Sequence, residues 1–242
     1  MITSEFRKLT TVRAPWLLLA AGPVVVAAGV SGLVSSGAAV HNPAMQARAL
    51  AHVGLAAVLP LLFGIGAVAG EYRHGTVTDT YLSFPRRGRV VAAKLAVYTL
   101  VGAVAGVLSA LVGIAVTAAW WSAKGASFHP ADAATWRTVG GGIAANAAFA
   151  AIGVGVGALI RNLVGAVAAA LVWIVLIEGI IGQLIGSGLA RWLPFSASQA
   201  LGSTSLTGAK LLPQWGGGLV LLAYTALFTT LAIGTTLRRD VT

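Results

Sequence analysis

Residues 16–38 read WLLLAAGPVVVAAGVSGLVSSGA, twenty-three residues without a charge. A helix that crosses the hydrocarbon core of a bilayer needs about 20 such residues, whereas the apolar core of a cleavable signal peptide has about 7–15. The run therefore reads as a retained span, and the small residues SSGAA at its far end read as the span's outer end rather than as a cleavage site. Five further runs have comparable length and apolarity, at 50–69, 95–119, 140–160, 164–185 and 217–236. Lipid offers no partners to backbone N–H and C=O groups, so a spanning segment is either a helix or a strand of a closed barrel. The alternating pattern of a barrel is absent. The expected fold class is all-α integral membrane, a single domain over 1–242 with six transmembrane helices.

Composition agrees. The 242 residues are 57% hydrophobic and 9% charged, where soluble domains carry about 25% charged residues, and the mean hydropathy is +0.88. There are no cysteines, which excludes disulfides, cysteine-ligated metals and a thiol nucleophile. His41, His52, His74 and His129 are scattered without ligand-like spacing. The net charge of +10 does not call for nucleic acid, because no separate basic domain exists to bind it. The cations follow the spans instead. With both termini inside, eleven of them (Arg7, Lys8, Arg13, Arg73, Arg86, Arg87, Arg89, Lys94, Arg161, Arg238 and Arg239) lie on inner loops, and five (Arg48, Lys124, Arg137, Arg191 and Lys210) lie on outer ones. That bias orients the chain. Trp120, Trp121, Trp136, Trp192 and Trp215 are then expected at the outer interface and Trp16 at the inner one.

The densest polar stretch is GEYRHGTVTDTYLSFPRRGR at 70–89, an inner loop. Its cationic end, Arg86, Arg87, Arg89 and Lys94, is explained by topology and by contact with anionic headgroups. Glu71, Tyr72, Asp79 and Tyr81 are not, since topology needs only Lys and Arg. A short helix here would place Val77, Tyr81 and Phe84 on one side and Thr78 and Asp79 on another, a surface suited to a soluble partner. Residues 2–13 are basic and amphipathic, with Phe6, Leu9 and Val12 at helical spacing, as in a helix lying in the interface. Residues 186–215 form an outer loop too apolar to be fully solvated, expected to dip back as short re-entrant helices.

Within the spans, Glu178 is the only deep acid. It lies fifteen residues into the fifth run, slightly outside the midplane at about 1.5 Å per residue. Intramembrane acids face the bundle interior or a water-filled cavity, so Glu178 reads either as part of a substrate path or dimer interface, or as a hydrogen-bonded group inside the bundle. Gln183, five residues on, falls on a different α-helical stripe. Asn146 suits an interhelical hydrogen bond more than substrate contact, and Trp173 suits packing more than ligand stacking; both, with Gln183, join Glu178 as candidates for a substrate path or dimer interface. Pro23 and Pro60 are expected to kink their spans. Gly66/Gly70, Gly102/Gly106, Gly153/Gly157 and Gly182/Gly186 have the four-residue spacing of close helix contacts. No Gly-Lys pair occurs, hence no Walker A loop, and neither a Gly-x-Ser-x-Gly elbow nor a His-Glu-x-x-His site is present. The chain offers no enzyme site of its own.

SEFRKLTTVRAPWLLL at 4–19 resembles the amphipathic elbow of bacterial type-2 ABC exporter permeases. GEYRHGTVTDTYLSFPRRGRVVAAKL at 70–95 is similar to the segment between their second and third spans, and RWLPFSASQAL at 191–201 to that between the fifth and sixth. This resemblance covers essentially the whole chain. It implies a permease with an elbow helix (1–15), a cytoplasmic coupling loop (70–94) and an outer re-entrant loop (186–215), in a bacterial plasma membrane with both termini cytoplasmic. It further implies two separately encoded ATP-binding subunits holding ATP and magnesium, a second permease copy forming a dimer, and outward movement of a hydrophobic or amphipathic cargo. Glu71, Tyr72, Arg73, His74, Gly75, Thr76, Thr78, Asp79 and Tyr81, with Phe6, Arg7 and Lys8 of the elbow, are then expected at the ATPase interface. Two other functions fit parts of the sequence: proton-coupled transport through Glu178, and a membrane anchor that only recruits a partner.

Overall fold

The computed structural model describes residues 2–11, 13–83, 87–181, 184, 187–204 and 210–238. Among them no strand occurs, and six helical stretches are long and apolar enough to cross a membrane. Helix α1 (Ile2–Thr11) precedes the first span, α2 (Arg13–Ser35). The second span is assembled from α3 (Pro43–Leu50), α4 (His52–Leu55) and α5 (Val58–Arg73). A short α6 (Val77–Ser83) leads to the third span, α7 (Arg87–Ala123), and then the fourth, α8 (Ala133–Ile160). The fifth begins as α9 (Leu163–Val172) and continues as a π-helix over Trp173–Ile181. Two short helices, α10 (Ser187–Ala190) and α11 (Pro194–Leu201), precede the sixth span, α12 (Gln214–Arg238).

Several boundaries differ from expectation for physical reasons. The second span starts seven residues earlier than its apolar run, because Asn42 caps α3 through a hydrogen bond from Ala44 N–H to its side chain and Pro43 occupies the first turn, both strong start signals. Its interruption at Ala56–Ala57 follows from Pro60, which has no N–H to offer the Ala56 carbonyl. That carbonyl accepts from Leu59 N–H at 3.0 Å instead. Pro23, by contrast, is carried inside an unbroken α2. The third span reaches back to Arg87 and so takes Lys94 into its helical body.

α8 is the most buried span and stands at the centre; α9 with its π-helical continuation is the most exposed. Glycines set how closely the central helices approach. A Cβ on Gly153 would collide with the Leu61 carbonyl oxygen, and one on Gly157 with backbone atoms of Ile65. Gly102 and Gly106 on α7 bring their helix onto Asn146 and Ile143 of α8. Two of the four spaced pairs thus serve helix contact. Gly66 and Gly70 face open space, and Gly182 and Gly186 lie outside the described residues.

The end of the bundle away from the termini is tied by polar side chains. The Gln46 amide donates to the Thr135 hydroxyl (2.6 Å) and the His129 carbonyl (2.8 Å), while His129 N–H donates back to its oxygen. Trp120 Nε1 donates to Ser31. Trp121 departs from the expected aromatic belt. It is 1% exposed, packed among Val34, Val40 and Leu50. Trp16, Trp136, Trp192 and Trp215 are exposed, as an interfacial position requires.

Candidate functional site

At the end of the bundle that gathers α1, the close of α5, the start of α7 and the α8–α9 turn, four charged groups form a cluster. Lys94 Nζ donates to Glu5 Oε2 (2.9 Å), Glu71 Oε1 (2.8 Å) and the Ala67 carbonyl (3.0 Å). Lys8 Nζ donates to Glu5 Oε1 and to Glu71 Oε1. The Lys94 side chain is 2% exposed and that of Glu5 4%, whereas Lys8 is 44% exposed. Two carboxylates and two ammonium groups neutralise one another, which burial of charge requires. Burial alone would push the Glu5 carboxyl up. Lys94 opposes it by charge and hydrogen bond, Lys8 adds to it, and the carboxyl is held below its ordinary value. Burial likewise works against the Lys8 ammonium, but its bonds to Glu71 and Glu5 hold it above the usual lysine range.

Lys94 is therefore not a headgroup anchor, contrary to the expectation from its position. It is the centre of the cluster, and sequence reasoning passed over both it and Glu5. A signal was present: Glu5 and Lys8 are three residues apart on a short helix, the spacing of a helical ion pair, and an acid in a basic segment needs a partner. The α1 face that packs inward carries Glu5 and Leu9, while Phe6 is exposed. Val12 lies outside the described residues.

The segment after the cluster turns outward. Gly75, at φ +69°, makes the turn between α5 and α6 in the left-handed region that glycine enters freely. Arg73, His74, Thr76, Thr78 and Asp79 are exposed, while Val77 is buried. Tyr72 lies back against the protein under the Arg161 guanidinium, 5.6 Å from its ring centre. Arg161 caps α8 at φ 57°, and its Nε and Nη2 are buried without a hydrogen bond. Of the expected interface residues, the structure thus brings Lys8 and Glu71 into an internal ion cluster, leaves Phe6 and Arg7 at the surface, and displays Arg73–Thr76, Thr78 and Asp79. The side chain of Tyr81, and Phe84 altogether, lie outside the described residues.

The intramembrane residues separate. Asn146 is buried and its amide donates to the carbonyls of Val53 on α4 and Gly142 on its own helix, both at 2.8 Å. It ties two spans together, as its chemistry suggests. Glu178 Oε2 accepts from the N–H groups of Phe195 (2.7 Å) and Ser196 (3.3 Å). These are orphan donors of the first turn of α11, where a carboxylate is favoured, and Leu193 at the cap offers no side-chain acceptor. Trp173 and Glu178 are five residues apart in the π-helix, whose i→i+5 repeat brings both onto one groove. Gln183 lies outside the described residues.

Six apolar helices around a glycine-packed centre, with a charged end that displays a short polar helix, define a multi-pass membrane protein. The family model for ABC-2 family transporter proteins matches residues 5–241, and the chain belongs to that family. Its permeases are membrane transport components that normally work with an ABC ATP-binding subunit. No curated protein matches the chain.

Proposed function

We propose that the chain is the permease of an ATP-driven exporter, energised at α6 by separate ATP-binding subunits that hold ATP and magnesium. The observation that carries this reading is the mounting of α6. The helix buries Val77, displays Thr78 and Asp79 beside Arg73, His74 and Thr76, and begins one short turn beyond a residue of the ion cluster, Glu71. A push on α6 reaches α1 and α7 through groups that are neutralised and fixed. The basic end then faces the cytoplasm of a bacterial cell, in keeping with the charge bias, with α1 as the elbow and α6 as the coupling helix. The apolar surface of Val164, Leu171, Val172, Val175 and Leu176 on the exposed fifth span suits a second permease copy, completing a dimer with two ATPases. The cargo is hydrophobic or amphipathic, moved outward, in keeping with apolar walls.

The test is purification of the tagged chain with its copurifying subunits. A near-stoichiometric nucleotide-hydrolysing protein is expected. The double variant Thr78→Arg/Asp79→Arg should reduce cargo-stimulated hydrolysis by about tenfold, a loss of about 1.4 kcal/mol in coupling, with the melting temperature unchanged. Unchanged stimulation would remove α6 from the interface, and recovery of the chain alone would remove the ATP-driven reading.

The cluster also sets a pH dependence. The Glu5 carboxyl is held below its ordinary value of 4.5, so its contribution to stability is complete above that value and fades as the pH falls through the depressed one. The melting temperature of wild type should exceed that of Glu5→Gln at neutral pH, and the gap should narrow as the pH falls below 4.5 and through the depressed value. A gap independent of pH would mean that the Glu5 charge contributes nothing.

A further inference from the structure

A groove of about 210 Å³ opens between α5, α8, the fifth span and α12. Phe149, Trp173, Tyr224 and Phe228 supply aromatic walls, Pro194 lines it too, and Glu178 is the single charged residue among the described lining residues. Only one of the two Glu178 oxygens is used by the fold: Oε2 caps α11, while Oε1 is buried and makes no hydrogen bond. The Trp173 side chain approaches the carboxylate without meeting hydrogen-bond geometry for Oε1. A helix cap alone does not explain a carboxylate here. A neutral oxygen would accept from Phe195 and Ser196 at lower desolvation cost, since a charge is costlier than an amide to take out of water. The π-helix that carries Trp173 and Glu178 is a rare geometry, frequent at functional sites.

We propose that this groove binds an organic cation with a hydrophobic body, its positive centre at Glu178 Oε1 and its body along Phe149, Tyr224 and Phe228. A buried carboxylate oxygen without a partner is most stabilised by a cation, and aromatic faces attract the same charge. The described lining carries this one carboxylate and no lysine or arginine to hold a phosphate, so the occupant is a free amphiphile and not a resident phospholipid. The inference deepens the transport reading by naming the charge of the cargo, but the binding needs no ATP-binding subunit.

The experiment is equilibrium dialysis on the full chain in lipid nanodiscs, with tetraphenylphosphonium as the cation and triphenylphosphine oxide as a neutral probe. Wild type should bind the cation, and Glu178→Gln should weaken it by about tenfold or more while leaving the neutral probe within about twofold. Glutamine keeps an oxygen for the α11 donors, so the melting temperature should hold. A second variant, Phe228→Ala, should weaken both probes, and it keeps the proposal testable if Glu178→Gln does not fold. Equal cation binding by wild type and Glu178→Gln overturns the proposal. Binding seen in anionic phosphatidylglycerol but abolished in phosphatidylcholine assigns the cation to the charged lipid surface and not to the groove, and overturns it as well. Failure to recover an ATPase with the chain leaves these outcomes readable, so the two readings fail separately.

Discussion

Lys94→Met should be among the most damaging single substitutions in the chain, lowering stability by about 3–5 kcal/mol. Methionine fills much of the lysine volume, so packing is largely kept. What is lost is the ammonium that faces both Glu5 and Glu71. The two carboxylates would then share only Lys8, which is 44% exposed and too well solvated to offset their burial. The triple variant Glu5→Gln/Glu71→Gln/Lys94→Met should recover most of the loss, because removing every charge of a buried cluster is far milder than removing one partner. Thermal unfolding of the detergent-solubilised chain, monitored by aggregation, separates the cases: a steep drop for the single variant and near-recovery for the triple one. If Lys94→Met melts with wild type, the carboxylates are solvated or neutral and the cluster has no role in holding this end together. The triple variant also bears on coupling. A stable chain with reduced cargo-stimulated hydrolysis would show that the charges transmit motion from α6.

Gly153→Leu should have the second large effect, about 3 kcal/mol or more, at the severe end of overpacking. The atoms that a side chain at Gly153 would meet are backbone atoms of α5, the Leu61 carbonyl and Ile65 N–H. They cannot turn aside as a flexible side chain would, so α5 and α8 must separate. Separation would loosen Gly157 against Ile65 and Gly64 against Ala150 in the same seam. Gly66→Leu is the control. The position lies on α5, the other helix of the seam, with nothing within 4 Å, and it should be neutral or gain up to about 1 kcal/mol from helix propensity. Expression and melting temperature of the pair decide the matter. Equal tolerance at both positions would mean that the glycine seam does not set the helix spacing.

The two residues share a spacing pattern in the sequence, which is why the pattern did not distinguish them. Gly66 and Gly70 match it as well as Gly153 and Gly157 do, and only the path of α8 past α5 makes one pair a contact. Asn146 was legible because a buried amide in lipid must find a partner. That the partner is the Val53 carbonyl could not be read, since it depends on the break that Pro60 imposes on the second span. Glu178 was legible as an acid in lipid. Its use as a cap for α11 was not, because the fifth span and α11 meet only after the chain has doubled back.

The amino-acid sequence by itself determined the six spans, their helical nature and the charge bias between the two ends, because each follows from local requirements: length, apolarity and backbone hydrogen bonds satisfied within a segment. It also marked 70–89 as the polar stretch in need of explanation. Only the tertiary structure decided which charges of that stretch are turned inward and which are displayed. Glu71 and Asp79 are chemically alike and eight residues apart, yet one closes a buried ion cluster and the other faces outward. The difference is made by Glu5 and Lys94, eighty-nine residues apart. No local rule brings them together; the packing of α1 against α7 does, and the high cost of an unpaired charge away from water then fixes where Glu71 must point.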